Sequence, residues 1–125
     1  MSDKINKEFV PYELAVKLKA LGFDEECLSY YFNKQLSFGS KTAYGEVVEA
    51  PLFQQAFRWF REKYELFHST NYQDDNSGPG GFDYEIQNKR GKQLNQGEYL
   101  EFETYKDAEL ACLEKLIEIV EQTKR

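Results

Sequence analysis

The order of elements in the second half of this sequence constrains the fold more than any other feature. Apolar residues recur at helical spacing from Pro51 to about Leu66, three short strand-like runs follow, and an apolar helix from about Tyr105 to Glu121 closes the chain. Such elements bury their apolar faces when the helices pack on one face of a sheet. The sequence therefore predicts an α+β fold with a small, mostly antiparallel sheet and a helix–strand–strand–strand–helix second half.

The predicted sheet has one buried face and one wet face. Its first strand runs from Phe67 to Tyr72, and apolar and acidic residues alternate in the runs 82–86 and 100–103. Residues 73–81 are rich in turn-forming residues, and residues 88–97 form a polar connection. We expect an inward set of Phe82, Tyr84, Ile86, Leu100 and Phe102, and an exposed acidic set of Asp83, Glu85, Glu101 and Glu103.

The closing helix begins with a capping-box pattern, Thr104-x-x-Asp107. Its apolar stripe is wide, which predicts contact with more than a sheet, either with the first helix or with another subunit. The stripe consists of Ala108, Ala111, Cys112, Leu113, Leu116, Ile117, Ile119 and Val120.

The first half of the sequence predicts a helix followed by a strand. The helix starts at Pro11 and is stopped by Gly22, and Phe23 then folds back onto its last turn. The strand runs from Cys27 to Phe32 and directs Leu28, Tyr30 and Phe32 to one face, with Tyr31 on the other.

A polar loop at 33–45, with a short hairpin partner near Phe38, leads to a brief edge strand at 46–49. We expect a single domain over residues 1–125. It consists of a flexible tail at 1–8, a helix–strand–loop part at 9–50 and the helix–three strands–helix part at 51–125.

Composition limits the function classes. The 125 residues carry a formal net charge of -6, which repels phosphate backbones and makes nucleic acid an unlikely partner. Neither an apolar signal-peptide core nor a membrane-length apolar run is present, so we expect a cytoplasmic protein. Cys27 and Cys112 are far apart and predict reduced thiols, with a disulfide between them as the alternative.

Three blocks carry a resemblance to other sequences: Phe9 to Asp24, Ala50 to Tyr64, and Thr104 to Val120. They resemble small uncharacterised proteins encoded in genomes, prophages and phages of gut Bacteroidetes. The resemblance covers most of the chain and implies a bacterial or viral protein that works inside a bacterial cell. It carries over no activity, cofactor or functional residue.

The element order is also similar to that of double-stranded RNA-binding domains. In such domains a lysine-rich start of the closing helix contacts phosphates across the groove. Here Lys106 stands beside Asp107 and Glu109. The similarity therefore implies the topology, whereas the acidic residues at the start of the closing helix remove most of the expectation of RNA binding.

The sequence contains few residues that could serve in catalysis. His68 is the single histidine, and its neighbour Ser69 would point to the opposite face of a strand, so the two are poorly placed to act as base and nucleophile. No cysteine–histidine cluster suggests a metal. We expect a protein that is not an enzyme, with no cofactor and no metal.

The best ligand hypothesis lies on the aromatic helix. Arg58, Trp59 and Arg61 can form a cationic–aromatic site for a nucleotide-like anion. The aromatic residues that can supply stacking are Tyr30, Tyr31, Phe32 and Tyr72. The structural interpretation is that the charged groups are solvated while the stems of these side chains cover the aromatic core. The leading function hypothesis is an interaction module that binds a protein partner or forms a homo-oligomer. A small anionic ligand is the alternative and RNA binding the third possibility, with no membrane involved.

Overall fold

The computed structural model describes residues 3–39, 45–75, 78–97 and 101–124, without the side chains of residues 3 and 75. The described residues form helices and antiparallel strands in comparable amounts, which confirms the predicted α+β class. The chain divides into two compact units, Met1–Ala56 and Phe57–Arg125. The prediction placed the strands in one sheet, whereas the described strands form two three-stranded sheets, one in each unit.

The first unit begins with two helices, α1 (Asp3–Asn6) and α2 (Tyr12–Ala20). The single-turn helix α1 lies in the segment predicted to be a flexible tail. The end of α2 has the predicted form, because Gly22 takes a φ of 104° and the Phe23 N–H donates to the Leu18 carbonyl at 3.0 Å. This pattern is the Schellman motif, which buries Phe23 against the end of the helix.

The sheet of the first unit contains β1 (Ser29–Phe32), β2 (Gln35–Phe38) and β3 (Val47–Ala50), in the order β2-β1-β3. Both pairings are antiparallel. Asn33 and Lys34 connect β1 to β2 with φ values of 48° and 72°, the left-handed pair that a tight hairpin requires. The predicted hairpin partner and edge strand are therefore confirmed.

The predicted inward face of the first strand is wrong at Leu28. This residue precedes β1 and is 74% exposed, whereas Tyr30 and Tyr31 are both buried. Tyr31 donates its hydroxyl to the Val10 carbonyl at 2.7 Å, and its ring meets Tyr12 edge-on. A strand that buries adjacent residues shows no alternation from which its core face can be inferred.

Helix α3 (Phe53–Tyr64) spans the boundary between the units, and α4 (Tyr105–Thr123) closes the second unit. Glu65 ends α3 in the left-handed region at a φ of 54°. The hydroxyl of Thr104 accepts a hydrogen bond from the Asp107 N–H at 3.0 Å, which confirms the predicted cap of α4.

The sheet of the second unit is a meander of β4 (Phe67–Asp75), β5 (Gly78–Gln87) and β6 (Gln93–Gln96). Strands β4 and β5 extend into the segment 73–81 that was predicted to be a turn, because glycines of β5 pair with the end of β4. The helix–three strands–helix order of this half is confirmed.

The third strand differs in position from the prediction. Residues Gln93–Gln96 were assigned to a polar connection, and the strand was expected at 100–103. Of that segment, Leu100 lies outside the described residues, and Phe102 makes an isolated bridge with Phe82. The polar β6 is held by backbone pairing with β5 and by the Tyr84 hydroxyl, which donates to Asn95 Oδ1 at 2.6 Å.

Both helices of the second unit pack on the same face of its sheet, as predicted. The Phe57 ring of α3 stacks on His68 of β4 with centroids 3.7 Å apart, and α4 packs on β4 and β5. Ile86 lies opposite His68 in the register and shares its face. Among the described residues of this unit, the fully buried side chains are Phe57, Phe60, Ile86, Ala108, Cys112, Leu113, Leu116, Ile117 and Val120.

Candidate functional site

An exposed aromatic surface lies at one end of the second unit, formed by Tyr72, Phe82 and Tyr105. Tyr72 is 59% exposed and Tyr105 is 45% exposed. The Phe82 ring lies between them, with its centroid 5.3 Å from that of Tyr72 and 6.0 Å from that of Tyr105. We call these three residues the aromatic surface.

Elements of secondary structure hold each of the three rings of the aromatic surface. Tyr72 and Phe82 are directly opposite each other in the β4–β5 register. Phe82 exchanges two backbone hydrogen bonds with Phe102, at 2.8 and 3.1 Å, and Tyr105 is the first residue of α4, directly after its Thr104 cap. The three rings therefore stand on paired strands and a capped helix start, which holds them in place before any partner arrives.

A glycine allows Tyr72 to lie close to β5. A Cβ at Gly80 would collide with the Tyr72 hydroxyl and with the Gln73 carbonyl. Any other residue at this position would push the Tyr72 ring away from its neighbours.

Exposed acidic residues lie close to Tyr105 in the chain. Glu103 precedes the helix and Asp107 lies in its first turn, and both are exposed. The cation between them in the chain, Lys106, is directed to Glu109, with Nζ 2.7 Å from Oε1. Since this lysine already neutralises a buried carboxylate, the start of α4 carries an excess of negative charge.

The predicted acidic sheet face is smaller than expected. Glu101 and Glu103 are exposed, but Asp83 is 4% exposed, so the prediction was wrong at this residue. Asn71 lies opposite Asp83, and its amide Nδ2 is 3.4 Å from Asp83 Oδ1. Glu85 is half-buried and accepts a hydrogen bond from the Gln87 side chain. Cross-strand and same-face amides supply polar partners that allow these carboxylates to leave water.

The predicted ligand residues lie together on α3 but differ in exposure. Arg58 is exposed, and its Nε is 3.6 Å from Glu62 Oε1. Trp59 is 5% exposed, and the ammonium of Lys63 lies over its ring, 5.1 Å from the centroid. Arg61 is half-buried. A ligand that stacked on Trp59 would have to displace Lys63, and the anion site at Arg58, Trp59 and Arg61 stays a prediction.

His68 lies in a packed environment against Phe57. Burial and the charge of Arg61 lower its pKa from 6.5 to about 4, so the imidazole is neutral at neutral pH. Its Nδ1 and the nearby Thr70 Oγ1 are buried without a hydrogen-bond partner among the described residues. A base with this pKa is poorly matched to proton transfer near pH 7.

The two cysteines are thiols. Burial, followed by the charge of Glu109, raises the pKa of Cys112 to about 12. Because the thiolate is the reactive form, Cys112 is inert as a nucleophile at neutral pH.

Two features are absent from the described part of the chain. No group of three or more His, Cys, Asp or Glu side chains there can hold a metal ion. None of the described helices combines the length and apolar character that a membrane crossing requires.

The sequence held only part of the signal for the aromatic surface. Tyr72 was recognised as a stacking residue, and Phe82 was assigned to the core, where it is half-buried. Tyr105 was treated as the start of a helix. Tyr105 lies three residues before Ala108, in line with the apolar stripe of the helix, so helical spacing gives no signal that Tyr105 is exposed.

Comparisons with protein-family models, with curated proteins and with solved structures returned no match. The geometry of the chain itself therefore carries the functional argument.

Proposed function

We propose that this protein is a non-enzymatic interaction module whose aromatic surface binds a positively charged, arginine-containing segment of a partner protein. The observation that carries the proposal is the exposure of Tyr72 and Tyr105 on either side of Phe82. The resemblance to phage and Bacteroidetes proteins sets this partner, as part of the proposal, inside a bacterial cell.

The aromatic surface has the chemistry of an interface centre. Tyrosine is enriched among the residues that dominate binding energy, and a tyrosine held by its neighbours loses little conformational entropy when a partner covers it. Tyr72 and Tyr105 are held in this way by ring contacts with Phe82. Covering these rings would remove apolar area from water without a large ordering cost.

Charge favours a basic occupant. The net charge is -6, and the exposed residues Glu103 and Asp107 lie within two positions of Tyr105 in the chain, so the start of α4 is acidic. An arginine guanidinium stacks on tyrosine faces and pairs with carboxylates at the same time. Nucleic acid could stack on the same rings, but its phosphates would be repelled. A second copy of this chain would bring the same negative net charge to the interface.

Binding of defined peptides tests the proposal. The probes are a labelled, capped peptide of alternating arginine and serine, the same peptide with glutamate in place of arginine, and a short RNA duplex. We expect saturable binding of the arginine peptide in fluorescence anisotropy at low ionic strength, with weaker binding as salt screens the charges.

A matched pair of variants locates the site. Tyr72→Thr combined with Tyr105→Ala removes both exposed rings, and we expect about a tenfold or larger loss of affinity. Phe67→Thr is the control, because Phe67 is an exposed aromatic residue of the same strand whose odd register position puts it on the other face. The control should bind within about twofold of the original protein.

Three results would contradict the proposal. The first is the absence of arginine-peptide binding, and the second is an equal loss of affinity in the control variant. The third is preferential binding of the RNA duplex, which would support the RNA alternative instead. Sedimentation of the protein alone, with a dimer abolished by the double variant, would assign the surface to self-association.

A further inference from the structure

A cleft in the first unit lies between the end of α2 and strand β3. Its volume is about 300 Å³, within the range of small-molecule sites. The lining residues are Ala15, Lys19, Gly22, Phe23, Asp24, Val47 and Glu49. None of them belongs to the aromatic surface, so the cleft is independent of the proposed function.

The apolar part of the lining comes from Ala15, Phe23 and Val47. The Schellman motif at the end of α2 fixes Phe23, and the antiparallel pairing with β1 fixes Val47. An aliphatic chain of a few carbons can lie against these side chains and leave water. The apolar lining is thus built on ordered backbone on both sides of the cleft.

The charged part of the lining is held in defined positions. Lys19 donates from Nζ to the Val47 carbonyl at 3.2 Å, which directs its ammonium to the backbone of β3. Glu49 accepts from the Cys27 N–H at 3.0 Å, which orients its carboxylate. Asp24 is exposed at the rim. Two carboxylates and one ammonium leave the cleft with an excess negative charge.

The orientation of α2 adds to the negative electrostatic potential of the cleft. The cleft lies at the C-terminal end of the helix, where the partial charge of the helix dipole is negative. A cation is therefore favoured by the dipole and by the carboxylates of Asp24 and Glu49. An anion would be repelled by both, and a purely apolar ligand would remove these carboxylates from water without adding an opposite charge.

We propose that the cleft binds a small organic cation, an ammonium or guanidinium group at the end of a short aliphatic chain. The chain lies against Phe23 and Val47, and the charged group pairs with Asp24 and Glu49. The same chemistry is present in a free alkylamine or alkylguanidine and in the lysine or arginine side chain of a partner protein.

Amide chemical shifts of the ¹⁵N-labelled protein test the proposal. The titrants are n-butylammonium and n-butylguanidinium, with n-butanol and butyrate as neutral and anionic controls, and capped Gly-Lys-Gly and Gly-Arg-Gly as the peptide arm. We expect saturable shifts at the amides of Phe23 and Val47 with the cations, and none with butanol or butyrate.

Charge-neutral variants test the role of the two carboxylates, and a third variant is the control. Asp24→Asn and Glu49→Gln keep the shape of the side chains, and the glutamine oxygen can still accept from the Cys27 N–H. Each should weaken cation binding about tenfold. Glu26→Gln removes the same charge from an exposed residue outside the lining and should leave the affinity within about twofold.

Each outcome decides one point. Binding of the free cations assigns the cleft to a small-molecule ligand, and binding of the peptides alone assigns it to a partner's side chain. The proposal is overturned if no cation binds saturably, if butanol or butyrate binds equally well, or if Glu26→Gln weakens binding as much as Glu49→Gln.

Discussion

The central strands of the two sheets carry different side chains on their two faces. In β1, the neighbours Tyr30 and Tyr31 point to opposite faces, and both are aromatic and buried. In β5, the helix face carries the apolar Tyr84 and Ile86, whereas the other face carries the acidic Asp83, which is buried, and Glu85, which is half-buried. The difference shows that alternation in the sequence reveals a strand only where its two faces differ in polarity, and that a polar residue of such a strand can still be buried.

Alanine substitution at the two neighbouring pairs gives the largest expected effects. We expect Tyr30→Ala and Tyr31→Ala each to lower the free energy of unfolding by about 3–5 kcal/mol, because each removes a buried aromatic ring. In β5 the same loss is expected for Tyr84→Ala, but Glu85→Ala should cost about 1 kcal/mol or less. Urea unfolding followed by circular dichroism measures all four. A loss at Glu85 equal to that at Tyr84 would break the comparison.

We expect a fall in pH to lower the stability of the second unit through His68, the single histidine of the sequence. Its folded pKa of about 4 lies below the usual 6.5, so between these values the unfolded chain takes up a proton that the folded state does not. Stability is therefore lost as the pH falls from about 6.5 to about 4, by an amount on the order of 2 kcal/mol once the partial exposure of the ring is allowed for.

The variant His68→Phe isolates this effect. Phenylalanine keeps the stack on Phe57 and cannot take up a proton, and it removes the buried Nδ1, which finds no hydrogen-bond partner in the described part of the chain. Urea unfolding at about pH 7 and about pH 4.5 should show a smaller loss of stability in the variant than in the original protein. Equal losses in both proteins would mean that carboxylates alone set the acid sensitivity.

The starts of the long helices in the two units differ in their capping. Thr104 caps α4 through its hydroxyl, whereas Pro11 precedes α2 without a side-chain cap. We expect Thr104→Ala to cost about 1 kcal/mol and Pro11→Ala to change stability by about 0.5 kcal/mol or less. Thermal unfolding of the two variants checks this difference, and an equal cost would show that the Thr104 hydrogen bond contributes little.

The hairpin loops of the two sheets give the smallest expected effects, with opposite signs. Lys34 holds a φ of 72° and Gly91 a φ of 81°, both in the left-handed region. Lys34→Gly relieves this backbone strain and should add about 0.5 kcal/mol of stability, whereas Gly91→Ala introduces strain and should cost about 1 kcal/mol. Calorimetry on both variants would show the opposite shifts. A stabilising Gly91→Ala would mean that the loop can relax to another conformation.

The strand β6 shows where local patterns stopped being informative. Its sequence is polar, and its two terminal glutamines hydrogen-bond to each other at 2.9 Å. The turn before it was readable, because Asn88 Oδ1 accepts from the Lys92 N–H at 3.0 Å and Gly91 supplies the left-handed position. An edge strand without an apolar face is recognised only from its pairing with β5. The composition of the strand itself gives no sign of that pairing.

The sequence by itself determined the α+β class, the helices α2, α3 and α4 to within two residues at their ends, and the apolar face of β5, because each depends on contacts between residues close in the chain. Tertiary structure alone decided the separation into two sheets, the burial of Asp83 beneath a cross-strand amide, and the meeting of Tyr72, Phe82 and Tyr105 from three elements. These features depend on which strand pairs with which, and pairing brings together side chains whose separation along the chain leaves no local pattern.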